Sequence, residues 1–144
     1  MIDTEKIEDA MIARIKGGLP GLKTVEPYEA KYDQSQVSQM LILSPFVLVH
    51  FGGLDVDEEK RLAGLASGTV EEIFEFTVGA KSLRSPREGQ VGAYGILRTL
   101  KSLFDGKLLE VDGVKIPMGL VSERFVSSQD GLLVYSASYK MFQL

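Results

Sequence analysis

The chain predicts an α+β fold: a mostly antiparallel β-sheet with helices packed on one face, in a single domain over residues 1–144. Three observations carry that expectation. Phe74, Phe76, Val78 and Ala80 recur every second residue, the period of a half-buried strand. Ile96, Leu97, Leu100, Leu103 and Phe104 follow at the spacing of an amphipathic helix stripe. Near the end, Leu133, Tyr135, Ala137, Tyr139 and Met141 alternate with Ser136, Ser138 and Lys140, which face the other way. The segment from Phe74 to Phe104 is the unit around which the rest packs, its strand and helix joined by the polar turn Ser82 to Gln90.

The first helix starts at Asp3 or Thr4, whose oxygens cap free N–H groups, with Glu5, Glu8 and Asp9 near the positive helix end. Ile7, Met11, Ile15 and Leu19 make its apolar face, widened by Ile12, and Gly17, Gly18 and Pro20 stop it. A short strand is expected over Lys23 to Tyr28, with Val25 inward, and a second helix over Gln36 to Leu41, capped by Asp33 or Ser35. Pro45 opens FVLVHFGG, an apolar run that suits a strand buried on both faces. Leu54 to Thr69 is acidic and rich in small residues, the composition of a long surface loop, and Val70 begins the central strand. Asp105-Gly106 and Asp112-Gly113 are turn signals around a short apolar segment, Leu108 to Val111. Gly119 to Val126 and Leu132 to Phe142 then form a hairpin through Asp130-Gly131.

Composition narrows the chemistry. The chain has no cysteine, which excludes disulfides, thiolate nucleophiles and cysteine zinc sites. Its charged start lacks the apolar block of a signal peptide, and no run nears the roughly 18 apolar residues of a membrane span; synthesis in the cytoplasm and no membrane association are expected. A net charge of −4 disfavours broad phosphate neutralisation, while an acidic wall would let DNA pass without holding it. His50, the single histidine, sits inside an apolar run and is expected to be a core residue rather than part of a triad. Counting a calcium loop from Asp55 puts Lys60 and Ala66 where a glycine and a glutamate belong, so the acids there are expected to be solvated. Gly89, Gly92 and Gly95 match neither phosphate-binding fingerprint, and close helix packing is their favoured role. No enzyme, metal or cofactor is expected.

Taken in order, the helix IEDAMIARIK, the strand PFVLVHFGG, the turn VGAKSLRS, the segment GQVGAYGILRTLKSLFDGKLL and the closing strand GLLVYSASY resemble the phage Mu tail terminator family of contractile-tailed phages and prophages. The most distinctive piece is the arginine after the central strand followed by Gly89-x-x-Gly92-Ala93-Tyr94. The resemblance implies a homo-oligomeric ring, a hexamer, at the head-proximal end of the tail tube. Such a ring stops polymerisation, caps the last sheath ring and offers a surface to the head connector. Its implied partners are further copies of itself, the tail tube protein, the tail sheath protein and the neck, with DNA passing through unheld. The implied location is the virion tail.

Under that reading the loops Ser82 to Gln90 and Leu54 to Thr69 are the expected contact surfaces. Arg84, Arg87 and Glu88 stand in one, Asp55, Asp57, Glu58 and Glu59 in the other, where guanidinium and carboxylate groups of neighbouring subunits could pair. Two alternatives stay open: a neck or tail-completion subunit, and a small anion- or nucleotide-binding domain using the segment from Arg84 to Gly92.

Overall fold

Apolar periodicity alone leaves open which strands neighbour one another; the computed structural model answers that for residues 2–28, 37–56, 70–84 and 91–143, the residues it describes. Among them are three helices, α1 (Thr4–Gly18), α2 (Val37–Leu43) and α3 (Ala93–Phe104). The six strands are β1 (Thr24–Pro27), β2 (Phe46–Val56), β3 (Val70–Ala80), β4 (Leu108–Val111), β5 (Val114–Gln129) and β6 (Leu132–Gln143). They form one curled sheet in the order β1-β2-β3-β6-β5-β4, parallel only between β1 and β2. The fold is therefore the expected single-domain α+β architecture.

α1 begins where the Asp3 carboxylate accepts the Glu5 N–H at 3.2 Å, and Ile7, Met11, Ile12 and Ile15 are buried along one stripe. α3 buries Ile96, Leu97, Leu100 and Phe104 beside it on the same face of the sheet. Beneath them Phe76, Phe104 and Tyr139 form an aromatic nucleus with ring centroids 5.1 to 5.8 Å apart. The curl brings β4 round to α1. There the Arg14 guanidinium donates to the Leu103 and Leu108 carbonyls at 3.1 and 2.9 Å, and Lys6 meets Asp112 at 2.9 Å. The helices are not all on one face as expected: the short α2 covers one end of the opposite face, placing Val37 and Met40 over Phe46, Leu48, Leu132 and Val134, side chains that strand alternation sends away from α1. This explains the unbroken apolar run of β2: Val47 and Val49 face α1, and Phe46 and Leu48 face α2. Gly79 sits under the Phe46 ring, which occupies the space a side chain there would need.

Local chemistry reset three boundaries. β2 does not stop at its glycines. A register shift between Phe51 and Gly53 forms a bulge, and pairing resumes as far as Val56 opposite Val70. Leu54 to Val56 are thus strand rather than loop, and residues 57–69 lie outside the described residues. β5 starts at Val114, ahead of the expected Gly119, because Asp112-Gly113 is a two-residue turn with both φ angles positive (52° and 78°) that pins β4 to β5. Pro117 is tolerated there because β6 pairs with β5 only from Met118 onward, so one side of the strand needs no donor. The second helix runs Val37–Leu43, and its expected caps, Asp33 and Ser35, lie outside the described residues.

Candidate assembly surfaces

β5 is paired on only one side at a time: β4 takes Val114 to Pro117, and β6 takes Met118 to Gln129. The outer edge of its second half has no strand beside it among the described residues. Its Met118 N–H donates to the Lys107 carbonyl, and the next outward donor, the Leu120 N–H, is held by the Asp105 carboxylate, both at 2.9 Å. Beyond it the strand carries two bulges, and the extra residue at each is an exposed valine, Val121 and Val126. Bulges and capped donors are how sheet edges avoid indiscriminate pairing. Next to them Phe125 is 55% exposed and packs edge-on to Tyr135 at 5.5 Å, which in turn meets Tyr94 of α3 at 6.4 Å. Burial first, then Tyr94, pushes the Tyr135 hydroxyl above its usual range. Glu123 on the same face is paired with Lys101 at 3.3 Å, which leaves the exposed Arg98 and, beside the start of α3, the exposed Arg84; Arg124, opposite Ser136, lies on the other face of the sheet.

At the diagonally opposite corner, β1 covers only Phe46 to Val49 of β2, leaving the outer edge from His50 to Val56 without a strand among the described residues. Here Phe51 and Leu54 are exposed apolar groups. Around them the charges are acidic. Glu5 and Asp9 are exposed on α1, and Glu8 lies half-buried beside the strand. Burial raises the Glu8 carboxyl, and a hydrogen bond from the Phe51 N–H opposes that rise, so Glu8 caps this edge much as Asp105 caps the other. His50 is not a core residue. It lies on the polar face beyond the reach of α2, with Nε2 3.1 Å from Glu75 and its ring 5.3 Å from Tyr28. Strand alternation decided this, because Val47 and Val49 took the α1 face and sent residue 50 the other way.

The expected contact residues separate along the same diagonal. Asp55 pairs through its backbone with Glu71, at the start of β3. Arg84 follows the end of β3 and is exposed. Glu71 and Ala80 are nine residues apart, a rise of roughly 30 Å along a strand, so Asp55 and Arg84 cannot pair within one chain. Arg87, Glu88, Asp57, Glu58 and Glu59 lie outside the described residues. Sequence reasoning passed over Tyr94, Val121, Phe125 and Val126 because each fits an ordinary helix or strand pattern. The signal was the run Phe125-Val126, two consecutive apolar residues that cannot both face the core of a regular strand.

The start of α3 argues for packing at Gly92. The N–H groups of Ala93 and Tyr94 donate to the Ser82 and Leu83 carbonyls, both at 2.9 Å, and a side chain at Gly92 would strike the Arg84 backbone. Two donors that a bound anion would use are therefore already engaged. Among the described residues no three His, Asp or Glu side chains are grouped as metal ligands, and no helix is long and apolar enough to cross a membrane.

No curated protein matches the chain. The family model described as Bacteriophage Mu, Gp37 matches residues 3–143, which takes in both sheet edges and every described helix. The chain belongs to the bacteriophage Mu Gp37 family, a family of phage structural proteins.

Proposed function

We propose that this chain is a tail terminator, a subunit that assembles into a ring of six at the head-proximal end of the tail tube. There it halts growth of tube and sheath and presents a face to the head connector, with DNA passing through unbound. The observation that carries this reading is the pair of exposed apolar strips at opposite corners of a small sheet, one with the exposed bases Arg84 and Arg98 beside it and the other with the exposed acids Glu5 and Asp9. A subunit with two unlike faces builds closed rings or open filaments, not two-fold dimers. The net charge of −4 suits a channel wall that repels phosphate. The mechanism needs no bond chemistry: the ring offers the tube an end that accepts no further tube subunit.

The test is tail morphology in lysates lacking the protein, together with its location in particles. Overlong or frayed tubes, and the protein present on isolated tails, are the expected results. Tubes of normal length with the protein found only on joined virions would replace this reading with that of a neck subunit.

A further inference from the structure

We propose that the two corner surfaces are partners for each other, so that a second copy of this chain docks its α1–β2 corner onto the α3–β5 corner of the first. This rests on the ring reading and deepens it by assigning the subunit contact to named surfaces.

Charge complementarity selects a second copy as the occupant. The aromatic strip of Tyr94 and Phe125 is flanked by Arg98 on α3 and by Arg84 beside the start of α3, which are exposed and make no ion pair among the described residues. The strip at the other corner, Phe51 and Leu54, is flanked by Glu5 and Asp9. Lys101 and Glu123 neutralise each other, so each surface offers an apolar centre whose unpaired rim charges are of one sign, the layout of a specific interface core and rim. Neither complements itself, because a two-fold contact would set bases on bases or acids on acids. Contact between unlike corners satisfies both at once. β3 holds the corners too far apart for that contact within one chain, so it must be made between copies. Both edges carry carboxylate-capped donors, so the contact runs through side chains and not through added strand pairing.

The test uses the full chain, free and on purified tail tubes, with mass read by light scattering and by crosslinking. Two variants reverse the rims: Arg84→Glu with Arg98→Glu, and Glu5→Arg with Asp9→Arg. All four residues are exposed, and unchanged thermal melting confirms that each variant folds. Each variant alone should associate about 100-fold or more weakly than the parent chain, because like charges then face one another. An equimolar mixture should restore assembly to within about tenfold of the parent, since the reversed surfaces complement each other in alternation. Parent-like assembly of both single variants would overturn the assignment of the surfaces while leaving the ring intact. Loss in both variants without rescue in the mixture would also overturn it, giving the surfaces to another partner such as the tube. A parent chain that stays monomeric even on tail tubes would overturn the ring reading itself.

Discussion

The centre of the sheet and the free half of β5 are built from the same kinds of residue yet do opposite things. Phe76 and Phe125 are both strand phenylalanines on the α3 face, each in edge-on or tilted contact with a tyrosine of β6. Phe76 is fully buried, with Phe104 of α3 above it; Phe125 is more than half exposed, with no helix over it. The difference lies in what covers each position. α3 packs on β3, β6 and β5, but its ties to β5 lie at its C-terminal end, where Lys101 meets Glu123 and Asp105 holds the Leu120 N–H, and past them two bulges turn β5 so that apolar groups point outward. Hydrophobicity therefore holds the fold together at one site and remains available to a partner at the other.

Three substitutions probe that contrast. Phe76→Ala should cost about 3–5 kcal/mol, the range for emptying a buried aromatic site, and urea unfolding would measure it; a loss below 1 kcal/mol would mean that the aromatic nucleus is not central to the core. Tyr139→Phe tests the same nucleus more gently. Its hydroxyl is buried and finds no partner among the described residues. Removing an unsatisfied buried hydroxyl should be neutral or stabilising, by up to about 1 kcal/mol. Burial first, then Glu123 and Asp105, raises the Tyr139 pKa in the folded state. The sign follows: an unfolded tyrosine ionises near pH 10 while the folded one stays neutral, so stability falls as pH rises above about 10. Tyr139→Phe should flatten that alkaline decline, and an unchanged slope would contradict the assignment. Phe125→Ala should alter monomer stability by no more than about 0.5 kcal/mol, as expected of an exposed position, while weakening assembly; a loss of monomer stability near that of Phe76→Ala would erase the contrast.

Much of this was legible in the sequence. The buried stripes of α1 and α3, the start of β3 at Val70 and the two Asp-Gly turns follow from periods and turn chemistry that act over a few residues. The family, too, was legible from the order of its segments. The site was less so. Arg84 and Asp55 stood out as charged residues, but their signs gained meaning only when β3 set them at opposite ends of the sheet. Tyr94 and Phe125 did not stand out as surface residues because periodicity records which side of a strand or helix is apolar, not whether anything lies over it. His50 was misplaced for a related reason: a continuous apolar run hides which residues share a face.

By itself the sequence determined the element types, most of the core and the absence of cysteine chemistry, since these depend on local geometry and composition. Tertiary structure alone decided the strand order, the curl that brings β4 to α1, and the reach of α2 and α3 over the sheet. Those are long-range packing outcomes, set by which apolar surfaces meet best among residues distant in the chain. They leave one aromatic strip and one acidic corner uncovered among the described residues, the two surfaces on which the proposed contact rests.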